Sequence, residues 1–240
     1  TLALEGIPVV CALYSTFLQR GYDQVIHDAA LQNAPIVLAL DRGGVVGADG
    51  PTHHGVFDLS FLRAVPDIVV AAPADEEELR HLLYTGIKYD KGPFTIRYPR
   101  GEGLGISDIK PFTEIPIGSW EISHRGNGKI LVLAVGSMVE QAMAAAQERP
   151  DITVVNARFV KPIDKAMLRA EARNAEHIIT IEENVIDGGF GEGVLAFLNA
   201  EGINAKVDIM GIPDVFVTHG STPTLLADLG LSKQGILAKL

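Results

Sequence analysis

Short, almost unbroken apolar runs recur along the chain, each followed by a polar stretch and then by a segment with helical periodicity. The runs cover residues 8–12 (PVVCA), 35–40 (PIVLAL), 67–72 (DIVVAA) and 94–97 (FTIR), and they resume at 130–135 (ILVLAV), 152–157 (ITVVNA), 177–182 (HIITIE) and 206–210 (KVDIM). Such runs lack alternation and are rich in β-branched residues, which predicts strands covered on both faces. Helices are predicted from the turn at 14–20 on to residue 31, then over 58–64, 75–89, 138–147, 164–175 and 191–200, with a last one after Ser221. The 75–89 segment is amphipathic and carries acids in its first turn, where they complement the helix dipole. Residues 1–5 read as a helix end stopped by Gly6, with Pro8 just beyond. Repeated strand, loop and helix units predict an α/β protein with parallel sheets and helices on both faces.

Between residues 101 and 118 the pattern gives way to Gly, Pro and mixed polar residues, an interdomain connection. The expected division is therefore two α/β domains, residues 1–112 and 113–240. A strand over 119–123 and the turn Arg125-Gly-Asn-Gly-Lys129 read as a hairpin, because Asn-Gly is a strong hairpin cue. No repeat, low-complexity tract or heptad pattern is present.

At 240 residues, 47% hydrophobic and 21% charged, the chain has the composition of a folded globular protein. Its formal net charge of -10 argues against general affinity for nucleic acid or anionic membrane. The single cysteine, Cys11, excludes an internal disulfide and fits a reducing cytoplasm; its apolar setting predicts a buried thiol. No apolar run is long enough to predict a membrane span. The opening residues lack a basic stretch and are interrupted by Glu5, Gly6 and Pro8, so no signal peptide is expected. A first residue of Thr1 without Met reads as a cut or processed start.

The chemistry concentrates in residues 41–55, DRGGVVGADGPTHHG, which leave the carboxyl end of the 35–40 strand. That edge of an open α/β sheet is where loops from several strands converge on a ligand. Arg42, Arg97 and Arg100 all fall at or just beyond strand ends, and Asp49, Thr52, His53 and His54 stand among the glycines. From composition alone a solvated connection is equally open. Tyr14 and Phe17 are spaced as a core pair, Arg97 as a salt bridge or a stacked surface residue, and His54 as a bystander. Gly189-Phe-Gly-Glu-Gly193 does not follow the dinucleotide fingerprint and reads as tight strand-to-helix packing. Glu182, Glu183 and Asp187 near His177 lack metal-ligand spacing and read as solvated loop acids.

The order Asp49-Gly-Pro-Thr-His53 resembles the substrate loop of the transketolase family of thiamine diphosphate enzymes. Asp41-Arg-Gly-Gly-Val-Val-Gly-Ala48, Tyr14-Ser-Thr-Phe-Leu-Gln-Arg20 and Arg97-Tyr-Pro-Arg-Gly101 narrow the likeness to the 1-deoxy-D-xylulose-5-phosphate synthases. The resemblance implies a pyrimidine-binding domain followed by a transketolase carboxy-terminal domain, which mainly serves dimer packing. It implies condensation of pyruvate with D-glyceraldehyde 3-phosphate with loss of carbon dioxide. Phe17, with Tyr14, would pack on the aminopyrimidine ring. Arg42 and Arg100 would bind the acceptor phosphate, with Arg20 and Tyr14 close by, since arginine's planar fork suits phosphate oxygens. His53 would move protons and Asp49 would contact a substrate hydroxyl.

The same resemblance places other parts elsewhere. The family's glutamate on the aminopyrimidine does not match Glu5. The Gly-Asp-Gly motif and downstream Asn that hold Mg2+ and the diphosphate do not occur, so these 240 residues are expected to be inactive without an amino-terminal domain or fragment. A homodimer is implied for the full enzyme, and His219 matches a family position without a firm role. Two competing expectations are the β subunit of a 2-oxoacid dehydrogenase and a non-catalytic assembly module of the same fold.

Overall fold

The computed structural model describes residues 1–103, 105 and 109–240. A 3-10 turn, Ala3–Glu5, is closed by Gly6 at φ 78°, and strand β1 (Val9–Tyr14) follows. A helical run then passes through a 3-10 stretch (Ser15–Gly21), α1 (Tyr22–Gln24) and a π stretch (Val25–Ala30). Next come β2 (Ile36–Asp41), α2 (Asp58–Ala64), β3 (Val69–Ala71), α3 (Glu76–Lys88) and β4 (Phe94–Arg97). The second half contains β5 (Glu121–His124), β6 (Ile130–Ala134), α4 (Met138–Glu148), β7 (Ile152–Asn156) and β8 (Phe159–Lys161). It ends with α5 (Lys165–Ala172), β9 (His177–Val185), α6 (Phe190–Ala200), β10 (Lys206–Ile212), α7 (Thr222–Asp228) and α8 (Lys233–Leu237).

The strands form two five-stranded sheets, ordered β1-β2-β4-β3-β8 and β10-β9-β6-β7-β5. The apolar runs pair in parallel as their composition predicts, but each sheet ends in an antiparallel strand, so both are mixed. The expected hairpin of β5 with β6 does not form. Both edges of β6 are taken by the buried parallel strands β7 and β9, and β5, with alternating exposure, pairs antiparallel with the outer side of β7. The Asn127-Gly128 turn instead packs against the start of β7, where Asn127 N–H donates to Asp151 O at 3.1 Å.

Strand β8 was not anticipated from sequence. The chain leaves β7 in the second sheet and within a few residues lies antiparallel to β3 in the first, with Ala71 opposite Phe159. Trp120 Nε1 donates to Phe159 O at 2.8 Å, and the Phe159 ring meets Phe94 edge-on at 6.4 Å. One buried apolar cluster accordingly joins residues of β2, β3 and β4 to Phe159, Leu168 and Phe190.

One further expectation is corrected. β1 is an edge strand, so its apolar run is not covered on both faces: Val10 is 45% exposed and Cys11 is an exposed thiol. Of the connection read over residues 101–118, residues 104 and 106–108 lie outside the described residues. From residue 110 onward it is strapped to α3. Thr113 N–H donates to His81 Nδ1 at 3.0 Å, Ile115 N–H donates to Thr85 Oγ1 at 2.9 Å, and Phe112 stacks on Tyr84 at 5.2 Å. Among the described residues no helix is long and apolar enough to cross a membrane.

Candidate functional site

The loop after β2 and the segment after β4 are bonded side by side. Tyr98 N–H donates to Leu40 O at 3.0 Å, and Gly43 N–H donates to Tyr98 O at 2.8 Å. Beyond that, Gly44 and Gly55 exchange backbone hydrogen bonds of 2.7 and 2.9 Å, closing residues 44–55 into a compact loop with a narrow neck. Gly55 is required there, because a Cβ would lie 2.3 Å from Arg42 O. Arg42 itself adopts φ 59°, in the left-handed region that few non-glycine residues occupy.

The result is a continuous polar and aromatic surface. The Arg42 guanidinium lies 3.8 Å from the Tyr14 ring centroid, and its Nη1 donates to Asp41 Oδ2 at 2.7 Å. One oxygen of Asp49, Oδ2, lies 3.6 Å from Arg42 Nε and 3.4 Å from Arg100 Nε, so a single carboxylate sits between the two cations. Tyr14 stacks on Phe17 with centroids 5.4 Å apart and planes 13° from parallel, and Phe17 meets the His53 ring edge-on at 5.6 Å. His53 Nδ1 is 2.9 Å from Thr52 Oγ1, and Thr16 Oγ1 donates to Thr52 O at 3.1 Å. Tyr14, Phe17, Arg42, Asp49, His53 and Arg100 are thus brought together. Arg20 is exposed near the end of the 3-10 stretch and pairs with none of them. Beside this surface opens a cavity of about 440 Å3, whose lining includes Asp41, Arg42, Tyr98 and Arg100 together with Ser137 and Glu140 of the second half. Burial, with the nearby charge of Asp41, pushes the Tyr98 hydroxyl above its ordinary pKa.

Two family models match the chain, the transketolase pyrimidine binding domain over residues 1–104 and the transketolase C-terminal domain over residues 118–236. The chain belongs to the transketolase family. Within that family it is similar to the 1-deoxy-D-xylulose-5-phosphate synthases of Azoarcus sp. (strain BH72), 52% identical over 239 residues, and of Aquifex aeolicus, 54% identical over 239 residues. These alignments cover 100% and 98% of this chain, and the chain spans 38% of the length of each of those relatives. A solved structure described as a split gene transketolase, inactive beta4 tetramer, superposes with a TM-score of 0.85 at 25% identity, covering 99% of this chain and 76% of that one.

The transketolase C-terminal domain backs the loop. His54 is buried, accepts from Val46 N–H at Nδ1 (3.1 Å) and places Nε2 3.0 Å from Thr218 O. Because Nδ1 accepts, Nε2 carries the proton and donates across to the second half. His54 is a structural pin, not an exposed bystander. Gly220 N–H donates to Gly47 O at 3.4 Å, and His219 is exposed with its Cβ facing Gly50.

Arg97 does form a salt bridge, yet it is 4% exposed and no surface residue. Its Nε donates to Asp58 Oδ2 at 3.2 Å, while Nη2 donates to Gly55 O at 3.2 Å and to Glu183 O at 2.5 Å. Asp58 Oδ2 also accepts from Ser15 Oγ at 2.9 Å, which ties the Tyr14–Phe17 segment to the same hub. Glu182 and Glu183 are not solvated loop acids either. Strand β9 continues to Val185, so both are interior strand residues, while Asp187 is exposed beyond it. Glu182 accepts from Phe190 and Gly191 N–H, both at 2.9 Å, and burial pushes its carboxyl up to about 7. His177 turns elsewhere and pairs with Asp208 at 2.7 Å. The Gly189–Gly193 segment is indeed tight packing: a Cβ on Gly191 would lie 2.5 Å from Ile209 and from Thr180.

None of these buried partners announced itself locally in the sequence. The available signal was the polar trio Glu182-Glu183-Asn184 inside an otherwise apolar strand, since buried charges need partners and those partners lie far along the chain.

Proposed function

We propose that this chain carries the acceptor side and the pyrimidine side of a thiamine diphosphate-dependent transferase that joins pyruvate to D-glyceraldehyde 3-phosphate, releasing carbon dioxide and forming 1-deoxy-D-xylulose 5-phosphate. The observation that carries this reading is the joined surface of Arg100, Asp49, Arg42, Tyr14, Phe17 and His53 at one sheet edge. Phe17 is 50% exposed and stacked flat on Tyr14, an aromatic face that fits a planar heterocycle. The cofactor, when bound, supplies the electron sink.

The chain's own residues do the rest. Arg42 and Arg100 hold the acceptor phosphate, each charge-assisted hydrogen bond contributing roughly 1.5 to 3 kcal/mol. Asp49 keeps the two guanidinium groups from repelling one another and accepts from a substrate hydroxyl. His53 holds or delivers a proton at the acceptor's carbonyl oxygen. Mg2+ and the diphosphate would be held by residues outside this chain, in the portion of the relatives it does not span. The complete enzyme is read as a homodimer in a reducing cytoplasm, to which an exposed, unpaired Cys11 is suited. The likeness to an inactive split transketolase supports the expectation that these 240 residues alone do not turn over.

The test is substitution in the complete synthase. Arg42→Ala or Arg100→Ala should raise the KM for glyceraldehyde 3-phosphate about tenfold or more, with a far smaller effect on pyruvate. Equal losses for both substrates would count against the phosphate assignment. Transfer to lipoamide in place of a phosphorylated aldehyde would favour the 2-oxoacid dehydrogenase reading.

A further inference from the structure

We infer that Glu183, contributed by the transketolase C-terminal domain, is a positioning residue for acceptor recognition. The inference rests on the reading of Arg42 and Arg100 as the phosphate site. Glu183 is 3% exposed, and its two carboxylate oxygens serve different segments of the chain. Oε2 accepts from the backbone N–H of Val45 at 2.9 Å, and Oε1 accepts from Ser137 Oγ at 2.5 Å. Val45 belongs to the loop that begins with Arg42, and Ser137 lines the same cavity as Arg42 and Arg100.

The backbone carbonyl of the same residue accepts from Arg97 on β4, the strand whose continuation carries Arg100. Glu183 therefore touches the support of both arginines without touching either one. Its fit is close: a Cβ on Gly44, which has φ 82°, would lie 2.4 Å from Oε2. The carboxylate occupies space that only a glycine at 44 leaves open. Were it shortened, the Val45 N–H would lose its partner in a buried setting and the Arg42 turn its fixed register.

The experiment compares the complete synthase with its Glu183→Gln, Glu183→Ala and Ser137→Ala variants. Pyruvate, glyceraldehyde 3-phosphate and unphosphorylated glyceraldehyde are the substrates, and backbone exchange is followed over residues 43–47. Glu183→Ala should lower kcat/KM for glyceraldehyde 3-phosphate by about 10- to 100-fold, mainly through KM. The KM for pyruvate should change less than about threefold, the unphosphorylated aldehyde should lose less than the phosphorylated one, and the Val45 amide should exchange faster. Glu183→Gln keeps one acceptor oxygen and should recover most of the loss.

A purely structural role would instead lower kcat for all substrates together with folded fraction, and that result overturns the inference. If Glu183→Ala fails to fold, Ser137→Ala decides, since it removes only one hydrogen bond; an unchanged KM for glyceraldehyde 3-phosphate in that variant also overturns it. An unsubstituted enzyme that did not prefer the phosphorylated aldehyde would sink the phosphate reading itself. The Val45 exchange rates would still show separately whether Glu183 holds the loop.

Discussion

Glu182 makes the stability of this chain depend on pH in an unusual direction. Most carboxylates that gain partners on folding are held below their ordinary pKa and stabilise a protein as pH rises. Glu182 is fully buried beneath the start of α6, and burial pushes its carboxyl from an ordinary 4.5 to about 7, against the pull of the Gly191 and Phe190 N–H groups and of Arg63 and Arg97. Below 4.5 folded and unfolded chains both hold the proton. Between there and about 7 the folded chain holds it while the unfolded chain releases it, so stability declines as pH rises and levels off above.

At about 1.4 kcal/mol per pH unit the decline amounts to roughly 3 kcal/mol across that window. Glu182→Gln keeps the shape and one acceptor oxygen but cannot ionise. Urea unfolding of the 240-residue chain at pH 5 and pH 8 should show the variant close to the parent or slightly weaker at pH 5. At pH 8 it should be more stable than the parent by about 1 to 3 kcal/mol, the lower figure allowing for the amide group that faces the Phe190 N–H. A variant whose stability relative to the parent is the same at both pH values would refute the reasoning.

Two further outcomes follow from the loop and its pins. His54→Ala removes the acceptor of the buried Val46 N–H and the link to Thr218, at a cost of about 2 to 4 kcal/mol in urea unfolding; a loss under about 1 kcal/mol would mean that the pin carries little. His53→Ala should slow turnover of the complete synthase by about 10²- to 10⁴-fold while leaving the stability of this chain nearly unchanged, and an unaltered rate would remove it from the chemistry.

The parts of the fold that could be read from sequence are those whose neighbours are close along the chain. The Asp58–Ala64 helix and the FTIR strand lie where their periodicity and composition placed them, because local patterning suffices to define a buried strand or an amphipathic face. The hairpin failed for the opposite reason. Asn127-Gly128 favours a turn, but it cannot say that β7 and β9 will claim both edges of β6. β8 is three residues long, too short to show a period. Cys11 sits in an apolar run whose exposure depends on which strand ends the sheet. Within the site, residues on the two strand-end loops were visible as polar groups in a glycine-rich stretch. The supporting roles of Arg97, Asp58, His54 and Glu183 were not, because each is defined by a partner dozens or more residues away.

The crossing of β8 into the first sheet bears on how such a protein can be taken apart or recombined. A gene divided at residue 112 would not yield two tidy modules. The leading piece would bear an unguarded β3 margin, and the trailing piece a short apolar segment, Phe159-Val160, with no sheet to join. Exchange of carboxy-terminal halves between related genes would succeed only where the incoming Phe159–Lys161 matches the Val70 and Ala71 it must lie beside and fills the space against Phe94. Inheritance of the two halves as a unit is therefore favoured by the architecture itself, independently of any demand made by catalysis.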